Sequence, residues 1–266
     1  MLHTFFEVDV FATDAYTGNP LAVVAGADDL TTEQMQRIAR WLNLSETTFL
    51  LEPTTLEADY RVRIFTQSEE FPFAGHPTLG TARAWLELNS SDKSELIQEC
   101  GAGLIPVKVD GDRLAFAAPP RTRTGELPGD EVARIVDTLR ISEEDIVAHG
   151  WGINGPKWRL VQLPSIDAVL NLRPTPPEPG RHIGVVAVEG EVAEVRAFVD
   201  NAEDPVTGSL NAALAQWLRE RGEVGPEYVA RQGRSVGADG AVFVRDDGAD
   251  IWIGGTAEVR VRGELG

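Results

Sequence analysis

The chain of 266 residues is long enough for one large or two small domains, and its 42 acidic and 24 basic residues give a formal net charge of -18. A charge of this sign repels nucleic acids and anionic membrane surfaces, so we exclude both as partners. The single cysteine, Cys100, excludes an internal disulfide, a cysteine-based zinc site and two-thiol chemistry within the chain.

Short runs of apolar or alternating residues predict strands along the chain. They lie at residues 4–11, 20–26, 60–66, 105–117 and 241–255. The last two runs are predicted hairpins, with turns at Asp110-Gly111 and near Asp247-Gly248. No run approaches the roughly 18 apolar residues of a transmembrane helix, and the N-terminus lacks the pattern of a signal peptide. The sequence therefore predicts a soluble, cytoplasmic protein that does not contact membranes.

Four segments predict helices. The first, residues 35–42, has one apolar face and follows a capping box formed by Thr31 and Gln34. The other three are residues 77–88, 130–139 and 210–220. The glycine-rich segment "HGWGINGPKW" (149–158) predicts a loop, without a phosphate-binding spacing.

An internal repeat divides the chain in half. Residues 62–82 match residues 195–215 at a constant offset of 133, and residues 37–46 resemble residues 134–143 at an offset of 97. A segment rich in proline and glycine, residues 117–130, lies between the halves as a candidate linker. We therefore predict two homologous domains, 1–118 and 119–266, with the same order of elements. The last strand is a candidate to cross back to the first domain. The identities at the first offset are Val62, Arg63, Phe65, Glu70, Pro72, Gly75 and Ala82 with Val195, Arg196, Phe198, Glu203, Pro205, Gly208 and Ala215.

The repeat makes His76 and Ser209 equivalent, each one residue after the shared glycine at the start of a predicted helix. Free backbone amides and the helix dipole at such a position favour an anion such as a carboxylate. Asp204 lies just ahead of the second helix, where it could help to orient a small polar molecule. Alternatively, Ser209 or Asp204 is only an N-cap and His76 is a structural histidine. Their matched positions favour a site.

Glu46 is the remaining candidate. It follows an amphipathic helix and precedes an apolar strand, so its carboxyl group is expected to face the interior. Desolvation there would favour the neutral acid and fit the group for proton transfer. Taken alone, as one acid among 42, it is more often expected to be a surface residue.

Five segments resemble the PhzF family, named for the phenazine-biosynthesis isomerase. They cover nearly the whole chain in the expected order: "VDVFATDAYTGNPLAVV", "LSETTFLL", "VRIFTQSEEFPFAGHPTLG", "DPVTGSLNAALAQWL" and "RQGRSVGADGAVFV" with the strand that follows it. The resemblance implies an α+β fold of the diaminopimelate epimerase type. In it, two homologous domains, each a β-barrel-like sheet wrapped round a central helix, are related by a pseudo-two-fold axis, with the active site in the cleft between them. The resemblance also implies a homodimer.

The resemblance further implies an isomerase without cofactor or metal. Glu46 would be the general acid/base that moves a proton between carbons of a small carboxylated substrate, and His76 and Asp204 would position polar groups and shuttle protons. Asn19, Ser45, Gly75, Gly208 and Ser209 would bind the substrate, with Ser209 on its carboxylate. The four histidines, His3, His76, His149 and His182, have no metal-ligand spacing.

The chain differs from its relatives at two sets of positions that bear on the reaction. The two catalytic cysteines of the fold's epimerases align with Ala74 and Thr207, which argues against a two-thiol racemase. Ala238 stands where many relatives carry an arginine. A binding protein on the same fold remains an alternative. A serine hydrolase using Ser209, His76 and Asp204 is a weaker one, because "VTGSLN" lacks the Gly-x-Ser-x-Gly elbow.

Overall fold

The computed structural model describes residues 2–200 and 202–266, and the chain divides into two compact units. Unit 1 comprises the chain up to Ala117 together with Gly254–Gly266, and unit 2 comprises Ala118–Ile253. The boundary falls within the proline-rich segment, and the last strand belongs to both units. None of the helices in the described ranges has the length and apolar character needed to cross a membrane.

Unit 1 is an eight-stranded barrel around one helix. Its strands follow the order β1-β2-β3-β4-β6-β7-β8-β16, and β1 also pairs with β16, which closes the ring. The central helix α2 is buried on all sides over residues 75–82, as expected for a helix whose apolar residues are not confined to one face. The elements are β1 (His3–Val10), β2 (Asn19–Ala25), α1 (Thr32–Leu42), β3 (Thr47–Leu51), β4 (Tyr60–Phe65), β5 (Glu70–Phe71), α2 (Gly75–Asn89), β6 (Glu95–Cys100), β7 (Gly103–Asp110), β8 (Arg113–Ala117) and β16 (Ile251–Leu265).

Unit 2 contains a sheet in the order β9-β10-β11-β12-β14-β15, and a second buried helix, α5, packs on it. The shorter helices α3 and α4 form a separate core with this sheet, and Ile135, Val169 and Val185 belong to this buried cluster. The elements are α3 (Gly129–Leu139), β9 (Ala148–Ile153), β10 (Lys157–Gln162), α4 (Ile166–Leu170), β11 (His182–Glu189), β12 (Val192–Val199), β13 (Ala202–Asp204), α5 (Gly208–Arg221), β14 (Glu227–Gln232) and β15 (Gly240–Asp246).

The two units share a pattern of strand pairing. In unit 1, β2 pairs parallel to β3, β3 antiparallel to β4, and β4 parallel to β6. In unit 2, β10, β11, β12 and β14 repeat this pattern. Both units also contain a two-bond ion pair at equivalent positions, Arg63 with Glu70 and Arg196 with Glu203. The offset of 133 therefore marks equivalent positions in two sheets of the same connectivity.

The match at an offset of 97 was misleading. It pairs α1 with α3, but α1 connects β2 to β3, whereas the equivalent connection in unit 2, from β10 to β11, contains α4. Apart from α3, which precedes β9, the order of helices and strands is nevertheless the same in both halves, because β9-β10-α4-β11-β12-β13-α5-β14-β15 repeats β1-β2-α1-β3-β4-β5-α2-β6-β7. Both α1 and α3 bury one apolar face, through Met35 and Ala39 in α1 and through Val132 and Ile135 in α3. Two unrelated amphipathic helices share such a spacing because burial of one face requires it.

The segment 149–158 was predicted as a loop, but most of it forms a hairpin of β9 and β10 around a short turn. Gly152 has a packing role, since a Cβ atom there would lie 2.7 Å from Leu160 Cδ1. The capping box of α1 is confirmed: Gln34 N donates to Thr31 Oγ1 at 3.3 Å, and Thr31 N donates to Gln34 Oε1 at 2.8 Å.

Candidate active site

His76, the second residue of α2, lies at the centre of a polar chain in unit 1. Its ring is buried, with 3% of the residue exposed. Nε2 lies 3.0 Å from the carbonyl oxygen of Asn19, and Nδ1 lies 3.1 Å from Glu46 Oε2. The preceding Gly75 allows this close packing, because a Cβ atom there would lie 2.2 Å from the ring of Phe116. The helix start therefore holds the imidazole between one carbonyl group and one carboxyl group.

The carbonyl of Asn19 fixes which ring nitrogen of His76 carries a hydrogen. A carbonyl oxygen only accepts, so Nε2 must donate to it. In the neutral ring, Nδ1 is then an acceptor, and its hydrogen bond with Glu46 requires a further proton. That proton is either on Glu46, as a carboxylic acid, or on Nδ1, giving an imidazolium beside a carboxylate. The contact between Glu46 and His76 therefore holds one hydrogen between the two groups.

Glu46 is positioned by the end of α1 and the start of β3. The helix ends at Asn43 in the left-handed conformation, with φ of 59°, and the chain then enters β3, which is buried along its whole length. Ser45 is exposed, and the Glu46 side chain is 19% exposed. The carboxyl group is thus mostly removed from solvent while one oxygen contacts His76.

A buried carboxylate that the sequence analysis missed orders the loop before Asn19. Asp9 is 5% exposed, and its two carboxylate oxygens accept hydrogen bonds from Tyr16 N at 2.6 Å and Gly18 N at 2.9 Å. These bonds fix the backbone that leads to Asn19, whose carbonyl accepts from His76. An acid placed among the apolar residues of a strand was the available signal.

In unit 2, Asp204 is hydrogen-bonded to the residue that directly precedes α5. Thr207 is the N-cap, and its Oγ1 donates to Asp204 Oδ2 at 2.5 Å. Gln232 donates to the carbonyl of Asp204 at 3.0 Å and accepts from Thr207 N at 3.1 Å. The alternative that Asp204 or Ser209 is merely the N-cap of α5 is therefore wrong.

Ser209 is held by two residues of the hairpin that was predicted to be a loop. The indole Nε1 of Trp158 lies 3.2 Å from Ser209 Oγ, and Asn154 Nδ2 donates to the carbonyl of Ser209 at 2.8 Å. Both partners went unnoticed in the sequence, because the glycines beside them suggested an irregular segment. Gly208 is the first residue of α5 and precedes Ser209 directly.

The positions aligned with epimerase cysteines are the N-caps of the two central helices, Ala74 and Thr207. Ala238 lies in the connection from β14 to β15, where its amide donates to the carbonyl of Gly233 at 3.1 Å. In residues 2–200 and 202–266, no three His, Cys, Asp or Glu side chains are arranged to hold a metal ion.

Known proteins resemble this chain over nearly its full length. A model of the PhzC-PhzF family, described as phenazine biosynthesis-like protein, matches residues 8–264. Trans-2,3-dihydro-3-hydroxyanthranilate isomerase of Pseudomonas aeruginosa is 34% identical over 263 residues, which cover 93% of this chain and 92% of that protein. Antisense-enhancing sequence 1 of Schizosaccharomyces pombe is 33% identical over 291 residues, which cover 98% of each chain.

Solved structures agree with this similarity. A PhzF-family phenazine biosynthesis protein from Bacillus anthracis superimposes with a TM-score of 0.82 at 24% identity, over 100% of this chain and 99% of that one. A predicted epimerase from Pseudomonas aeruginosa gives 0.82 at 25% identity over 99% of both chains. A hydroxyproline epimerase from Agrobacterium vitis gives 0.61 at 14% identity over 99% and 92%, which indicates a shared fold alone.

The fold and these relatives define the protein as an isomerase. The chain belongs to the phenazine biosynthesis-like PhzC-PhzF family, since the family model spans residues 8–264. The predicted family, the isomerase class and the epimerase-like fold are confirmed. Isomerases among the relatives also imply a small-molecule substrate.

Proposed function

We propose that this protein is a cofactor-independent isomerase that moves a proton between two carbons of a small carboxylated substrate, with Glu46 as the general acid/base. The observation that carries the proposal is the chain from Asn19 O through the His76 ring to Glu46 Oε2. It supplies a carboxyl group beside a ring whose tautomer is fixed, which is the requirement for directed proton transfer.

The proton balance of this step needs no cofactor. When the hydrogen of the Glu46–His76 contact resides on His76 Nδ1, Glu46 is a carboxylate and can accept a proton from a substrate carbon. The electron pair left on that carbon shifts a double bond of the substrate, and Glu46 returns the proton to a second carbon. The Glu46–His76 pair then regains its starting state, so the reaction is an isomerisation.

The residues of unit 2 would bind and orient the substrate. Ser209 and the amides of the first turn of α5 are suited to a carboxylate, and the amide of Gly208 belongs to this turn. Asp204, with the Thr207 hydroxyl as its donor, would hold a polar group of the substrate and exchange protons with it. Ser45, Gly75 and Asn19 complete the proposed substrate-binding set in unit 1.

We extend the proposal to the relation between the two halves. Domains 1–118 and 119–266 are inferred to be homologous and related by a pseudo-two-fold axis. The shared strand pairing and the equivalent ion pairs, Arg63–Glu70 and Arg196–Glu203, support this inference. Homodimerisation and a cytoplasmic location stay predictions from the sequence.

A serine hydrolase is less well supported. A serine nucleophile needs a base that accepts its proton, and the hydrogen-bond partner of Ser209 Oγ among the described residues is the donor Nε1 of Trp158 rather than a base. Both ring nitrogens of His76 have partners, namely Asn19 and Glu46. This arrangement does not provide the contacts of a Ser-His-Asp triad.

The test is proton NMR of metabolite mixtures in deuterated buffer with wild type, Glu46→Gln and Glu143→Gln. Glu143 is an exposed acid and serves as the matched control. Wild type and Glu143→Gln should incorporate deuterium at one carbon of a substrate, and Glu46→Gln should do so about 10² to 10⁴ times more slowly. A rate for Glu46→Gln within about threefold of wild type would contradict the proposal. Ligand binding by wild type without any exchange would identify a binding protein instead.

A further inference from the structure

The indole of Trp158 determines the direction of the hydrogen bond made by Ser209. Trp158 is the second residue of β10, 1% exposed, and its Nε1 lies 3.2 Å from Ser209 Oγ. An indole N–H only donates, so the serine oxygen must be the acceptor in this contact.

Trp158 is held by the sheet on both sides. It pairs with Gly152 of β9 and with His182 of β11, and its ring centroid lies 5.2 Å from that of His182. The backbone of Ser209 is held separately by Asn154 Nδ2. A large buried ring within paired strands has little freedom, so the position of Nε1 relative to Ser209 Oγ is set before any ligand arrives.

The remaining hydrogen-bonding capacity of Ser209 suits an anion. Because one lone pair of Oγ faces Trp158, the hydroxyl hydrogen must point away from the indole. Within the described ranges, Ser209 Oγ makes no other hydrogen bond. The first bond within α5 runs from Asn211 N to Thr207 O at 3.1 Å, so the amides of Gly208 and Ser209 precede it. A donor hydroxyl beside these amides matches an acceptor-only group such as a carboxylate.

We propose that Trp158 is a positioning residue that presents the Ser209 hydroxyl as a hydrogen-bond donor to a ligand carboxylate and disfavours its use as a nucleophile. The inference rests on the proposed function for the identity of the ligand group. It adds a residue and a direction of hydrogen bonding that the proposed function does not contain.

The test measures carboxylate binding, with benzoate as the probe and benzamide as its neutral counterpart. Trp158→Phe keeps the aromatic ring and removes the N–H group, so benzoate affinity should fall about fivefold to tenfold, the loss of one oriented hydrogen bond. Ser209→Ala should lose a similar factor, and the double variant should lose no more than either single one, because Trp158 acts through Ser209. Trp41→Phe, at a residue 75% exposed on α1, is the matched control and should bind benzoate like wild type.

Several outcomes would overturn the proposal. These are no saturable benzoate binding by wild type, equal benzoate affinity of wild type and Trp158→Phe, and additive losses in the double variant. Equal losses for benzoate and benzamide would show a merely structural effect, and stoichiometric labelling of Ser209 by a fluorophosphonate would show a nucleophile. The deuterium exchange assay separates this result from the proposed function: normal carboxylate binding without exchange would contradict the isomerase while leaving the role of Trp158 intact.

Discussion

The first turns of α2 and α5 have the same framework but opposite hydrogen-bond polarity. Each helix begins at a glycine, follows an N-cap without a side-chain capping bond, and ties its second residue to the start of an equivalent strand. In α2, His76 donates to Asn19 of β2, which leaves its second nitrogen for Glu46. In α5, Ser209 accepts from Trp158 of β10, which leaves its hydrogen for a ligand.

The third residue of each helix extends the difference. Pro77 has no N–H group, so the start of α2 offers one fewer amide than the start of α5, where Leu210 occupies that position. The start of α5 is therefore better suited to an anion than the start of α2, where His76 contacts Glu46 instead. One backbone arrangement thus allows two hydrogen-bond polarities, and the partner at the start of the neighbouring strand decides which.

The largest expected effect comes from replacing His76 in the first turn of α2. His76→Asn replaces the titratable ring with a neutral amide, so the deuterium exchange rate of the substrate should fall about 10² to 10³ fold. Ser209→Ala is the matched change in α5 and should raise KM more than it lowers kcat, since it removes a binding contact. Rates within about threefold of wild type for His76→Asn would contradict the comparison.

The next effect is on stability and distinguishes the two equivalent ion pairs, Arg63–Glu70 and Arg196–Glu203. Arg196 and Glu203 are 6% and 10% exposed, whereas Arg63 and Glu70 are 28% and 37% exposed. Arg196→Ala leaves a buried carboxylate without its partner and should cost about 3 kcal/mol, whereas Arg63→Ala should cost about 1 kcal/mol or less. Hydrogen exchange resolved for β12–β13 and for β4–β5 checks this, because each unit is then measured separately. Equal losses of protection would show that burial does not distinguish the two pairs.

Local patterns in the sequence predicted much of this fold. The capping box of Thr31 and Gln34 and the apolar face behind it placed α1, and alternation placed β1 and β2 within a residue of their observed ends. Such signals work because the period of a helix or strand is written in neighbouring residues. Glu46 and His76 were also identified as candidates, and the structure places them in contact.

The partners of the site residues depend on distant parts of the chain. Asn19 is 57 positions from His76 and contacts it through a backbone carbonyl, which no side-chain pattern reports. Trp158 was overlooked because glycines that allow close packing in a strand look like glycines of a loop. Only the packing of the Leu160 side chain against Gly152 distinguishes the two cases. The direction of each hydrogen bond is therefore a property of the folded unit, although the residue types are visible beforehand.

The smallest expected effect is a pH dependence of stability at a position that differs between the units. Glu194 of β12 stands where β4 has Arg61, and it is fully buried beside Arg234. Burial raises the pKa of the Glu194 carboxyl above its ordinary value of 4.5, and the ion pair with Arg234 only partly opposes this. As the pH rises, Glu194 therefore ionises at a lower pH in the unfolded chain than in the folded one. Its contribution to stability is present below pH 4.5 and is lost as the pH rises through the higher pKa of the folded state.

Glu194→Gln should remove this pH dependence, because glutamine resembles the protonated acid and does not titrate. The free energy of unfolding of the variant relative to wild type should be near zero at about pH 4 and should rise towards pH 7, as the penalty for burying the carboxylate develops in wild type alone. Urea unfolding of both proteins at matched pH values measures this difference. If the variant instead loses stability relative to wild type as the pH rises, the attraction of Arg234 outweighs the burial of Glu194, and the two units differ at this position by a favourable ion pair.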